Sequence, residues 1–253
     1  RSGEARATSA GTGRTAIVRW GEPPLFDPHH CGGVPLWGNP QAQVYSPTWA
    51  VTGLLFGTTL GHKLYLLLHA IVGHAGMNLL GRRFLGLSQV GSFLTATFWA
   101  ASGFFAWHGA GGHATFISFY WAPWLFLFWR ASETDLRACV GVGAVMALVV
   151  AEGGHYPFPY FVLWLGIDLV LRLVQRPRSA GPILRGAFVS GALGGLLAAY
   201  RIVPIFLTVR GHPHLVPDPD AMTPSEILTM LTAREMPPSW PHRWVWNEYG
   251  GFL

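Results

Sequence analysis

The sequence predicts an all-α polytopic membrane protein. It reads as a helical bundle of about six transmembrane helices plus a short interfacial helix, with a structured extracytoplasmic loop and tail. Three observations predict this. First, 51% of the 253 residues are hydrophobic and only 11% are charged, where a soluble domain carries about 25% charged residues. Second, the apolar residues come in blocks near the roughly 20 residues needed to cross about 30 Å of hydrocarbon. Third, arginines gather on alternate loops between those blocks, which is the positive-inside pattern.

The elements follow in order. Residues 1–46 form the outer loop. It contains the stretch "FDPHHCGGVPLWGNPQ" (26–41), whose prolines and paired glycines preclude a regular helix or a long strand. A helix over about 47–57 has Pro47 in its first turn, where proline is well suited. It is too short to span, so it lies in the interface or re-enters. The bundle, 47–209, then has spans at about 60–80, 87–108, 113–130, 135–151, 156–174 and 183–209, the fourth being the shortest. Pro123 kinks or breaks the third. The aromatic run "FISFYWAPWLFLFW" (116–129) reads as lipid-facing and interfacial packing rather than a pigment site. The tail, 210–253, carries a short helix near 224–234.

Arginine placement orients the set. Arg82 and Arg83 follow the first span, Arg130 and Arg137 flank the third loop, and Arg172, Arg176, Arg178 and Arg185 flank the fifth. The loops at 109–112 and 152–155 hold neither arginine nor lysine. The arginine loops are therefore cytoplasmic, and the opening loop and the tail share the outer face. Arg1, Arg6, Arg14 and Arg19 run against this assignment. A chain whose first residues lie outside needs an earlier span, and this one begins with Arg rather than Met, so an upstream piece is expected.

Other classes are disfavoured. The net charge of +5 rests almost wholly on arginine, Lys63 being the sole lysine. With no arginine/aromatic platform and no RNA motif, that charge reports topology, not nucleic acid. Cys31 and Cys139 make no CxxC pair. They are expected on opposite faces, about 30 Å apart, far beyond the roughly 7 Å between bridged Cα atoms, and so unbridged. His62, His69 and His74 lack the i, i+3 or i, i+4 spacing of a helical metal pair. His29-His30 and the "HPH" at 212–214 could bind zinc but show no fixed-spacing signature. No metal or other cofactor is assigned.

The outer face collects the candidate site residues. Arg201 lies within a span, where a charge is costly and usually faces a cavity or a partner; snorkelling to the headgroups is the alternative. Its planar fork suits a phosphate, and Arg210, at the same end, is the second phosphate-binding candidate. Seven residues from Gly194, or about 20° around the helix, Arg201 is expected to face inward beneath the 20–46 loop, paired with Glu152 or Asp27. Asp27 and Glu152 are candidate general bases toward a sugar hydroxyl. Asp27 could equally start an Asp-Pro turn. His155, in "EGGHYP", could move protons or make a structural hydrogen bond.

The ordered pieces "FDP…GGVPLWGNPQ…YSP", "LLLHAIVGHAGMNLLGRRFLGLS", "SGFFAWHGAGGHATFISFYWAPW", "EGGHYPFPY", "YRIVPIF" and "WNEYGGFL" resemble the YfhO-like bacterial membrane proteins, a branch of the GT-C-type glycosyltransferases. The resemblance runs over nearly the whole chain from Trp20. It implies a multi-pass protein of the bacterial cytoplasmic (inner) membrane that transfers a sugar from a polyprenyl-phosphate-linked donor on the outer face. Asp27 takes the place of the acid in the family's "W-D-P" piece, and His155 that of its "G-H" turn. Two departures stand out: the chain is much shorter than such enzymes, and Arg201 stands where a neutral polar residue is expected. The expected partners are membrane lipids and the lipid-linked sugar. A second reading is a non-catalytic membrane scaffold or assembly subunit of the same fold, with other membrane subunits as partners. A transporter would want broken helices meeting at the midplane, whereas the polar groups here gather at one face.

Overall fold

The computed structural model describes residues 10–29, 33–211 and 225. Its regular structure is helical apart from one minute hairpin. A helical turn at 10–15 runs into a wider turn, Ala16–Trp20, which Gly21 ends at φ 69°. Strands β1 (Phe26–Asp27) and β2 (Val34–Pro35) then pair antiparallel, Phe26 opposite Pro35. The turn-dense opening stretch thus folds as a two-residue ladder between proline-rich arms. His30 and Cys31, the predicted tail helix and the rest of 212–253 except Ser225 lie outside the described residues.

Ser46, in extended conformation, accepts from the Thr48 amide and starts a turn at Pro47–Trp49 that continues as a wide turn through Leu54. Helix α1 (Leu55–Arg83) follows, but Gly57 breaks it at φ 79°, ψ 179°, a conformation that a residue with a Cβ rarely adopts. A Cβ on Gly61 would lie 2.5 Å from the Thr52 carbonyl oxygen. The first turns therefore press directly on the helix. The short helix expected over 47–57 and the span expected from about 60 are thus divided by Gly57.

The next two expected spans are not continuous helices. The 87–108 block is divided into α2 (Gln89–Ala100), capped by Ser88, and α3 (Gly103–Ala110), with extended Ser102 between them. The 113–130 block is a tight 3₁₀ segment, Ala114–Trp121, followed by α4 (Ala122–Ala131). Pro123 sits in the first turn of α4, where its missing N–H costs no helical bond, and this is the break expected of it. Helix α5 (Leu136–Ala151) is capped by Asp135, and α6 (Pro157–Gln175) and α7 (Ala180–Gly211) complete the described chain. Among the described residues, three elements are long and apolar enough to cross a membrane: Pro47–Arg83, Pro157–Gln175 and Pro177–Gly211.

Side-chain contacts give the helices their directions. Trp124 of α4 donates to the Val72 carbonyl, and a Cβ on Gly76 would meet its indole at 2.6 Å. Asp168 of α6 meets Trp129 and Arg130 at the end of α4. Gly186 of α7 abuts the Ser132 carbonyl, whereas Gly194 lies against Gly143 and Met146. Helices α1, α4 and α6 therefore run one way and α5 and α7 the other. The arginine-bearing ends of α1, α4 and α6 and the starts of α5 and α7 share one end of the bundle. The opposite, capped end holds Ser46, Trp121, Glu152 and Arg201.

The core is aromatic. Tyr65, Phe105, Ile117 and Tyr120 form one buried cluster, and Leu125, Trp129, Val145 and Phe161 belong to another. Phe105 stacks on Tyr120 with centroids 3.7 Å apart; such pairs contribute about 0.5–1.5 kcal/mol beyond their buried area. The run 116–129 supplies both clusters. It is interior packing and not the lipid-facing surface the sequence suggested, because the 3₁₀ segment turns its rings toward α1, α3 and α6.

Candidate functional site at the capped end

Glu152 ends α5 in a non-helical conformation and is fully buried. Its Oε1 accepts from Thr48 Oγ1 at 2.8 Å and lies 2.9 Å from His69 Nε2, while its Oε2 accepts from Trp121 Nε1 at 3.0 Å. The other ring nitrogen of His69, Nδ1, lies 2.8 Å from the Tyr65 carbonyl. A carbonyl can only accept, so Nδ1 carries hydrogen. One further proton must then lie on the line between Nε2 and Oε1. It belongs either to His69 as imidazolium or to Glu152 as the acid. Either way the pair is neutral as a unit, which lowers the cost of burying it. Thr48 in turn shares a hydrogen bond with Ser46, 2.5 Å away. Glu152 thus ties together the start of the first long element, the middle of α1 and the junction before α4.

Arg201 faces inward, as its place on the Gly194 face predicted, and it too is fully buried. The carboxylate partner predicted for it is absent among its contacts. Its guanidinium donates to three backbone carbonyls: Trp37, Asn39 at 2.9 Å and Ala42 at 3.1 Å. It also lies over the Tyr45 ring, 4.6 Å from the centroid. Trp37 and Tyr200 return the contact, each donating to a carbonyl across the same seam. The Tyr45 hydroxyl donates to the Pro24 carbonyl. Burial pushes the Tyr45 pKa up to about 12, against the opposing pull of the Arg201 charge. Together these bonds fasten the 37–46 segment to α7.

The remaining predicted residues have other partners. Asp27 is fully buried in the hairpin. Its Oδ1 accepts from Thr12 Oγ1 at 3.1 Å and from the His29 amide at 3.0 Å, the Asp-Pro turn geometry. Thr12 and His29 also line a hollow of about 850 Å³ beside Glu22 and Phe26. His155 is half-buried; its Nδ1 approaches the Gly153 carbonyl at 3.0 Å and its ring packs on Tyr156. Arg210 is exposed in the last turn of α7, about 13 Å along the helix from Arg201 at 1.5 Å per residue. The hydrogen bonds given above join no two of Glu152, Arg201, Asp27, His155 and Arg210.

Two neighbouring clefts were not foreseen. One, of about 350 Å³, is lined by Pro40, His155, Phe158, Ile202 and Phe206. The other, of about 320 Å³, runs between α6 and α7 past Leu165, Gly166, Ser190, Gly191 and Gly195. Phe158 and Ile202 border both. Their lining is mostly apolar, with Trp129 and Ser190 in one cleft and His155 in the other. Among the described residues, no three His, Cys, Asp or Glu side chains come together as a metal site.

Thr48, His69 and Trp121 were missed as site residues. They stand 104, 83 and 31 positions from Glu152, so no local spacing announces them. His69 drew notice only as a metal candidate. Cys139 is a buried free thiol near the carbonyls of Ser132 and Gly186. No family model, curated protein or solved structure matches this chain.

Proposed function

We propose that the chain is a multi-pass membrane glycosyltransferase of the GT-C type that takes its sugar from a polyprenyl-phosphate donor on the outer face of a bacterial cytoplasmic membrane. The observation that carries this reading is the pair of neighbouring, mostly apolar clefts along α6 and α7, read as one slot with His155 at its mouth. A long isoprenoid tail with a polar head has that division. The tail would lie against Gly166, Gly191 and Gly195, and the sugar-phosphate would meet His155 at the mouth. In the transfer the acceptor hydroxyl attacks the anomeric carbon and the bond to the phosphate oxygen breaks. The lipid phosphate leaves with its electron pair and the hydroxyl proton passes to a carboxylate. The resemblance gives that part to Asp27, which would have to be released from its burial and from its bonds to Thr12 and the His29 amide to take it. Arg201 and Glu152 are reassigned from chemistry to holding the roof, since both terminal nitrogens of Arg201 are engaged with Trp37, Asn39 and Ala42, and both carboxylate oxygens of Glu152 with Thr48, His69 and Trp121.

The test fills the slot. A Cβ on Gly191 or Gly195 meets nothing within 4 Å, so Gly191→Trp and Gly195→Trp should fold and insert. Sugar transfer from a long-chain donor should fall at least tenfold, with transfer from a short-chain donor less affected. Unchanged long-chain transfer in both variants would exclude the slot as the donor site.

The second reading, a non-catalytic membrane scaffold, is favoured by that same engagement of Glu152 and Arg201. It expects no transfer by the intact protein with any lipid-linked sugar, and recovery of the chain in stoichiometric complex with another membrane subunit.

A further inference from the structure

The arginine-rich end sorts its charges into two groups. Glu133 accepts from Arg172 and, at 2.7 Å, from Arg176; Asp168 pairs with Arg172 at 2.7 Å and Arg130 at 3.2 Å. Arg172 also lies 4.8 Å over the Trp129 ring. Arg130, Arg172 and Arg176 thus share two carboxylates, Arg172 buried and the other two exposed. Arg137, Arg178 and Arg185 are exposed and have no ion pair among the described residues. They flank the starts of α5 and α7, which pack together there: Gly186 abuts Ser132, and the Cys139 thiol reaches the Gly186 carbonyl. The surface just beyond them is apolar and open, with Phe188 77% and Val140 53% exposed.

We propose that this face, Arg137, Arg178 and Arg185 over the joined starts of α5 and α7, binds the headgroup of an anionic phospholipid. Unpaired arginines beside the membrane attract phosphate headgroups, and the planar guanidinium matches phosphate oxygens. The exposed Phe188 and Val140, about one turn further along the same helices, lie where acyl chains would run. That pairing of charge with apolar surface fits an amphiphile and not a soluble polyanion. The inference needs only that these helices cross a membrane, and it holds whether or not the chain transfers sugar.

The full chain, purified and placed in nanodiscs of phosphatidylcholine mixed with phosphatidylglycerol, is released for native mass spectrometry and the retained lipids are counted. Phosphatidylglycerol should be retained in preference to phosphatidylcholine. Arg137→Gln, Arg178→Gln and Arg185→Gln should each reduce that preference by about fivefold, and the triple variant by about a hundredfold. Arg176→Gln, which removes an arginine already paired, should change it by less than about twofold. Inorganic phosphate alone, at millimolar concentration, should not displace the lipid. Equal retention of the two lipids by the unmodified protein, or an unchanged preference in a folded triple variant, would overturn the proposal. So would displacement by phosphate alone, which would make this a free-anion site.

Discussion

The proton shared by His69 and Glu152 yields a sharp prediction, because Gln can replace Glu152 without leaving a polar atom unmatched. In Glu152→Gln the amide oxygen can take the place of Oε2 and accept from Trp121, and the amide nitrogen can take that of Oε1. There it donates to His69 Nε2, which is a bare acceptor once His69 is neutral with its hydrogen on Nδ1, and its second hydrogen can point to Thr48. The three elements stay joined, and the loss of stability should stay below about 1 kcal/mol. In Glu152→Ala the Trp121 N–H, the Thr48 hydroxyl and the His69 ring lose their partner inside a buried site, at a cost of about 3–5 kcal/mol. At about 2–4 °C per kcal/mol for a chain of this size, Ala should lower the melting temperature by about 6–20 °C and Gln by less than about 4 °C. Tryptophan fluorescence in detergent follows both, since Trp121 is a member of the network. If Ala and Gln destabilise equally, the shared-proton account fails, and if neither does, the network does not hold the roof. Transfer activity adds an independent arm: a stable Glu152→Gln protein that has lost all sugar transfer would restore Glu152 as the base.

Further predictions concern the seams. Arg201→Ala should free the carbonyls of Trp37, Asn39 and Ala42 and expose the 37–46 segment to limited proteolysis. Arg201→Lys should rescue only partly, because an ammonium lacks the planar fork. Gly143→Val should push α5 from α7, since even a Cβ would meet the Gly194 amide nitrogen at 3.0 Å; the expected loss is about 1–3 kcal/mol of stability, read by chemical unfolding. Burial pushes the Glu133 carboxyl up, but hydrogen bonds and charge from Arg172 and Arg176 outweigh it and hold the group below its usual 4.5. A depressed acid stabilises the fold fully above its unfolded value. That contribution should fade as pH drops below about 4.5 and vanish beneath the folded value. Glu133→Gln should flatten this acid limb of the melting-temperature profile.

How far the sequence foretold this arrangement depends on whether a feature is local. The break at Pro123 was legible because proline acts on its own backbone; the end of the short helix near residue 57 was placed from the apolar blocks, and the structure shows Gly57 to make it. The inward face of Arg201 followed from helical periodicity. The common end of the arginines was legible from their alternation, and the ion pairs of Arg130, Arg172 and Arg176 agree with it. The interruption between α2 and α3 was not legible. "FWAASGFF" is apolar enough to pass for continuous helix, and the extended Ser102 is a tertiary outcome. The aromatic run was misassigned for a related reason: hydropathy treats lipid and a protein core alike, and only the 3₁₀ turn decides which the rings meet.

The residues best hidden from sequence are those that bond to backbone. An irregular segment packed over apolar helices must have its carbonyls satisfied by protein, since hydrocarbon offers no donors. The 37–46 stretch does so only in part: the Ala42 amide donates to the Asn39 carbonyl and the Ser46 amide to that of Gln43, while the Trp37 and Ala42 carbonyls accept from Arg201. Arginine carries five N–H donors on one side chain, and Arg201, nearly three turns inside the end of α7, reaches all three carbonyls at once. A carbonyl has no signature in the sequence, so a lone charge in an apolar span reads first as a ligand for phosphate. The cost of burying the charge is met by the backbone it organises, without any carboxylate. A charged residue in a span therefore calls for a count of nearby irregular backbone as well as a search for an acidic partner, and at the capped end of this bundle the backbone accounts for Arg201.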